Sequence, residues 1–185
     1  MNPLMPNHYR EILLGLGENP EREGLLDTPK RAAKAMQYLC HGYQQNLDEI
    51  VNGALFASDN DEMVILKDIE LVSICEHHLL PFTGVAHIAY LPTEKVAGLG
   101  RLANVVEILA SRPQLQENLT AQVADAIETG LSALGVVVVI EARHQCVASR
   151  GARQPEVNTI TMATRGRYSD PVLRSEIMGL ISRGS

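Results

Sequence analysis

From Tyr9 to Leu16, apolar residues recur at helical spacing at Tyr9, Ile12, Leu13 and Leu16. This predicts a short helix that Gly15 weakens and Gly17 ends. A second helix is better marked. Asp27 and Thr28 offer N-cap oxygens, Pro29 suits a first turn, and Ala32, Ala33, Met36 and Leu39 then share one face, up to His41-Gly42. Beyond a polar stretch from Ser58 to Glu62, the β-branched and aromatic content of Met63–Ile74 and of Gly84–Leu91 predicts two strands. Two helices follow. Arg101–Ser111 is stopped by Pro113; Leu115–Leu131 carries a stripe at Leu119, Val123, Ile127 and Leu131 and is ended by Gly130 and Gly135. The run Gly135–Ala142 is too short and too β-branched for a helix, and in Val157–Thr164 the positions Val157, Thr159, Thr161 and Ala163 alternate with their neighbours, so two more strands are expected.

Strand, strand, helix, helix, strand, strand is the signature of an α+β fold: an antiparallel sheet backed by two helices, with a helical segment ahead of it. The boundary falls so that residues 1–57 form the N-terminal helical segment and residues 58–185 the sheet-and-helix unit, the whole being one structural unit. An open sheet of about four strands leaves two unpaired edges, which symmetric assembly of several copies would close. There is no internal repeat, low-complexity tract or long flexible linker.

A chain of 185 residues with 45% hydrophobic content can bury one sizeable core. Its net charge of -6 argues against a broad nucleic-acid-binding or anionic-membrane-binding face, so any anionic ligand must meet a local basic pocket. The N-terminus lacks an apolar stretch of signal-peptide length and no run of about 18 apolar residues occurs, which predicts a cytoplasmic protein. Three cysteines, Cys40, Cys75 and Cys146, make no disulfide framework. In a reducing compartment thiols serve as metal ligands, catalysts or core filler.

Between the first two strands, Cys75-Glu76-His77-His78 sets a thiol, a carboxylate and two imidazoles in four consecutive positions. Cys75 and His78 can meet one ion from a turn, although Cys-x-x-His alone also describes a buried cysteine beside surface histidines. A second cluster, Arg143-His144-Gln145-Cys146, reads as a continuation of the third strand, which would put His144 and Cys146 on one face. Cys75, His78 and Cys146 would give Zn2+ two thiolates and one imidazole and leave a fourth position for water, the open arrangement of a catalytic site. His77 or His144 as a fourth ligand would make it a closed structural site instead. As free imidazoles the two can pass protons, or they can hydrogen-bond the ligands and act through them. Cys40, inside a helix, reads as filler.

Five stretches resemble one family: Cys-Glu-His-His-Leu-Leu-Pro-Phe from Cys75, His-Ile-Ala-Tyr-Leu-Pro from His87, Arg-Pro-Gln-Leu-Gln-Glu from Arg112, Leu-Thr-Ala-Gln from Leu119, and His-Gln-Cys-Val-Ala-Ser-Arg-Gly from His144. Together they look like GTP cyclohydrolase I. The similarity begins near Leu25–Arg31, includes Asp61–Val64 and thins after Gly151. The resemblance implies a ββααββ tunnelling fold for residues 58–185 and a homo-oligomer, a toroidal decamer with active sites at subunit interfaces. It also implies zinc on Cys75, His78 and Cys146 and proton transfer by His77 and His144. In the enzymes resembled, GTP is attacked at C8 of guanine by zinc-activated water, the imidazole ring opens, formate leaves, and the ribose carbons rearrange to close the pterin ring of 7,8-dihydroneopterin triphosphate, an entry to folate or related pterins.

By the same resemblance Glu117 receives the guanine N1–H and amino group, with Gln116 beside it, while Arg150, Arg101 and Arg31 contact the triphosphate, Arg31 from a neighbouring subunit. Read without the family, Glu117 is equally a helix-dipole residue and the arginines are solvated charges. Where the family usually reads Gly-Leu-Ser-Lys-Leu-Ala-Arg, this chain has Gly98-Leu-Gly-Arg-Leu-Ala-Asn104, so Gly100, Arg101 and Asn104 depart from the pattern and one phosphate-binding charge is missing. Arg153, Arg165 and Arg167 are candidates to replace it. Two alternatives therefore stand beside the leading one: ring opening of another guanine nucleotide or arrest at the formamidopyrimidine, and a non-catalytic paralogue that holds zinc structurally.

Overall fold

Every residue from Gly135 to Ile140 is buried because the strand they form is covered on both faces, which is why its sequence is a continuous apolar run rather than an alternating one. The computed structural model describes residues 3–52, 55–59 and 61–182. Positions 1, 2, 53, 54, 60 and 183–185, which the expected segments 1–57 and 58–185 include, lie outside the described residues. In chain order the elements are α1 (Met5–Gly15), α2 (Thr28–Leu39), α3 (Leu47–Asn52), β1 (Leu55–Ala57), β2 (Val64–Cys75), β3 (Pro81–Leu91), β4 (Lys95–Ala97), α4 (Leu99–Ala110), β5 (Pro113–Gln114), α5 (Gln116–Leu131), β6 (Gly135–His144), α6 (Gln145–Ala148), β7 (Thr159–Gly166) and α7 (Pro171–Ile181).

The main sheet has the order β5-β2-β3-β6-β7. Its four long strands are antiparallel neighbours as expected, and a fifth, two-residue strand, β5, lies parallel to the end of β2. The expected α+β class holds, with one strand more than the sequence suggested and a separate β1–β4 ribbon. Helices α4 and α5 pack on one face, where Leu102, Val105, Val106, Leu109, Leu119, Val123 and Ile127 meet Val136, Val138, Ile140 and Ala142 of β6. On the other face Ala89, Val137 and Val139 lie under Tyr168 and under Ile177 and Ile181 of α7. Fully burying each such Val, Leu or Ile contributes about 1.5–3 kcal/mol, so β6 is the best-anchored strand and holds the end of the sheet where His144 sits. Helix α7 was not anticipated from the hydrophobic pattern. Its signal was local: Asp170 caps it by accepting from the Val172 and Leu173 backbone N–H groups at 2.8 and 3.3 Å, and Pro171 occupies the first position.

Several expected boundaries move. Asp27 does not cap α2 with its side chain; its carboxylate instead accepts from Arg31 Nη2 at 3.0 Å. Gly130 does not end α5, which runs to Leu131 and stops at Ser132 in the left-handed conformation, φ 49°. Gly130 is there for space, because a Cβ at this position would run into Val51 of α3. Helix α1 packs against α2, with Tyr9 and Leu13 half-buried, but it buries none of its residues fully and leaves Ile12 and Leu14 exposed.

The N-terminal segment is fastened at Gly42. The Gly42 N–H donates to the Ser111 carbonyl at 3.0 Å, Arg112 Nη2 donates to the Gly42 carbonyl at 3.0 Å, and a Cβ on Gly42 would strike the Ile108 carbonyl. Ser73 Oγ donates to the Arg112 carbonyl at 3.1 Å. The α4–α5 link is thereby held against the end of β2, from which the first residues of α5 project.

Candidate active site and metal centre

At one end of the sheet all five of its strands stop or start together: Cys75 ends β2 and pairs with Gln114 of β5, His144 ends β6 and pairs with Phe82 of β3, and Thr159 begins β7 opposite Ala142. After Cys75 the chain reverses in a tight turn. The Leu79 N–H donates to the Cys75 carbonyl and the Cys75 N–H to the Leu80 carbonyl, both at 2.8 Å, and Leu79 takes φ 54° to close the loop. The turn brings His78 Nδ1 to 3.8 Å from Cys75 Sγ.

Cys146 joins them by a route the sequence did not indicate. The strand does not continue through it: β6 ends at His144, and Gln145–Ala148 forms a single helical turn. Alternation along a strand therefore is not what aligns His144 with Cys146; the helical turn swings the thiol towards Cys75. The donor atoms of Cys75, His78 and Cys146 all lie within 4.8 Å of one another. A tetrahedral ion with M–S about 2.3 Å and M–N about 2.0–2.1 Å needs donor separations of about 3.5–3.8 Å, so the three fit one ion with little movement. Burial first, and then the adjoining Cys75 sulfur, push the Cys146 thiol up, while Arg150 pulls it the other way. A bound cation would reverse that balance by favouring thiolate.

Beside these donors is a cavity of ≈ 240 Å³ whose lining includes His77, Gln116, Glu117, His144 and Thr159. The His144 ring stacks on Phe82, centroids 4.5 Å apart and planes 15° from parallel, and its Nε2 lies 2.7 Å from Gln116 Oε1. With that nitrogen engaged by an amide, His144 stands apart from the three converging donors. Burial holds the His144 imidazole below its ordinary range, and the nearby Glu117 carboxylate partly offsets this. His77 and Glu117 are exposed on the rim.

A model of the family described as GTP cyclohydrolase I matches residues 5–182. The chain belongs to the GTP cyclohydrolase I family. It is 61% identical to GTP cyclohydrolase 1 1 of Pseudomonas aeruginosa over 99% of each chain. It is 56% identical to GTP cyclohydrolase 1 2 of Pseudomonas putida, again over 99% of each, and 53% identical to GTP cyclohydrolase 1 2 of a Nostoc species over 96% of this chain and 82% of that one. Among solved structures, the apo archaeosine synthase QueF-Like is similar at a TM-score of 0.49 and 16% identity, covering 59% of this chain and 97% of that one, a likeness too slight to bear on activity.

Within one copy of this GTP cyclohydrolase I family chain, Cys75, His77, His78, Gln116, Glu117, His144 and Cys146 gather at one end of the sheet, with Arg150 close enough to act on Cys146. Arg31 and Arg101 do not line the cavity. Arg31 lies on α2, 79% exposed and paired with Asp27; Arg101 is in the first turn of α4. Gln116, expected as a substrate contact, lines the cavity and is only 2% exposed, with its amide engaged at both ends. Phe82, Thr159 and Thr161 were missed by sequence reasoning, because an aromatic and two threonines on strands look like ordinary sheet residues until the register sets them beside His144 and Gln116. Among the described residues no helix is long and apolar enough to cross a membrane.

Proposed function

We propose that this end of the sheet is the active site of a zinc enzyme that converts GTP to 7,8-dihydroneopterin triphosphate and formate. The observation that carries the reading is the convergence of two thiols and one imidazole within 4.8 Å beside a cavity lined by His77, Glu117 and His144. The donor set suits zinc, since thiolate and imidazole are its preferred ligands whereas magnesium and calcium take oxygen. Zinc held by Cys75, His78 and Cys146 would supply Lewis acidity that brings the deprotonation of water into the neutral range.

The chain's own residues do the rest. Glu117 accepts from the guanine N1–H and 2-amino groups, a two-point contact that adenine cannot make. His77 and His144, outside the three donors, exchange protons with the nitrogen and oxygen atoms that gain or lose charge as the ring opens and formate departs. The lowered proton affinity of His144 keeps a neutral fraction available near pH 7. Arg150 and Arg101 neutralise the triphosphate, and Arg31, far out on α2, serves the site of a neighbouring copy in a homo-oligomer, a ring of ten. Residues 1–57 act as the helical segment through which copies embrace, and residues 58–185 as the tunnelling-fold catalytic unit.

Incubation of the zinc-loaded protein with GTP is expected to release formate and a pterin that fluoresces after oxidation; neither product appearing would overturn the reading. A narrower alternative rests on Gly100 and Asn104. A Cβ on Gly100 would meet open space, so the missing serine hydroxyl is not replaced locally, and comparison of GTP, GDP and GMP as substrates separates the two readings.

A further inference from the structure

The side chain of Gln116 can adopt only one of its two amide orientations. Its Nε2 lies 3.0 Å from the Ile140 carbonyl, 2.9 Å from the Thr159 carbonyl and 3.1 Å from Thr161 Oγ1. Turning the amide over would press its oxygen against two carbonyl oxygens with no hydrogen to share. Thr161 does not offer a donor either. The single hydroxyl hydrogen of Thr120 goes to the Gln116 carbonyl at 2.7 Å, so in the 2.6 Å contact between Thr120 and Thr161 the hydrogen must come from Thr161. Gln116 Nε2 therefore donates to β6 and β7, and Oε1 faces His144 as an acceptor.

We propose that Gln116 is a positioning residue that fixes the tautomer of His144: Oε1 accepts the Nε2–H at 2.7 Å, leaving Nδ1 as the ring's one lone pair for proton exchange. The stack on Phe82 fixes the ring plane, so the amide and the phenyl ring together set both which nitrogen is basic and how it is presented. The amide is oriented from Ile140 of β6 and from Thr159 and Thr161 of the edge strand β7, which gives the tail of the chain a part in the chemistry. This rests on the reading of His144 as a proton-transfer group.

The test combines spectroscopy with kinetics. In protein labelled with 15N-histidine and held at about pH 8.5, where imidazole is neutral, the His144 signal, identified by its loss in His144→Ala, is expected to show the Nε2–H form in the native enzyme. An Nδ1–H form there overturns the proposal whether or not any variant folds. Gln116→Leu is expected to lose that preference and to lower kcat about 10- to 100-fold, with KM for GTP within about threefold and zinc content unchanged. A raised KM with kcat retained in Gln116→Leu would make Gln116 a substrate contact and sink the idea. Full turnover in His144→Ala would instead bring down the reading on which it rests, and the native spectrum distinguishes the two failures.

Discussion

Cys146 reaches the Cys75–His78 turn from a helical turn, and its neighbours differ in what their loss should do. Replacing Cys146 with Ser removes one of three converging donors, and zinc affinity is expected to fall by more than about 100-fold, beyond the 10- to 100-fold typical of groups that only support a ligand. Competition with a chelator, read by metal analysis, checks this. His144→Ala should behave in the opposite way. Its Nε2 is engaged by Gln116, so zinc content and assembly are expected to persist while formate release drops about 10²- to 10⁴-fold, the usual share of a proton-transfer group; loss of zinc in that variant would make His144 a ligand. Glu117→Gln replaces a charged acceptor with an amide, and since such a hydrogen bond contributes about 1.5–3 kcal/mol, kcat/KM for GTP is expected to fall roughly 10- to 150-fold.

Among the elements, the link between α4 and α5 connects the N-terminal segment to the catalytic end of the sheet. Gly42 is pressed against the carbonyls of Ile108 and Ser111 at the end of α4, and Arg112 donates back to it. A methyl group there must push the two segments apart. Gly42→Ala is expected to cost about 1–3 kcal/mol, which for a chain of this size lowers Tm by roughly 2–12 °C, measurable by calorimetry on the zinc-loaded protein. The same change at Gly100, in helix α4 where a Cβ would meet open space, should leave Tm unaltered or raise it slightly, since alanine is the better helix former. A common shift at both positions would mean that backbone freedom, and not the close approach, governs Gly42.

For the whole molecule, the unsolved matter inside one chain is coverage. Strand β7 forms one edge of the main sheet and β5 shields only the last two residues of β2 on the other, while α1 exposes Ile12 and Leu14. A ring of copies pairs such edges and buries such a helix. Sedimentation is expected to give ten chains per particle, and a stable single chain with full activity would contradict it. The placement of Arg31 can be tested directly. Arg31→Ala and His144→Ala, each inactive alone, are refolded as an equal mixture; if Arg31 serves a neighbour, about a quarter of the sites receive both native residues and activity returns. If it serves its own chain, every site remains defective.

The sequence by itself determined what depends on neighbours along the chain. The stripe of α5 was legible because it buries one regular face, β2, β3 and β6 were legible through their β-branched content, β6 as a continuous apolar run buried on both faces, and the Cys75–His78 spacing was legible because three residues of turn suffice to bring both groups together. Alternation and helical stripes carry no record of what lies across the sheet. Only the tertiary structure decided that Cys146 arrives from α6, that α7 covers the second face of β6, and that the Gln116 amide meets His144. Those outcomes follow from register, from Phe82 facing His144 and Thr159 facing Ala142, and register is set by packing of the whole core, which no local stretch of sequence contains.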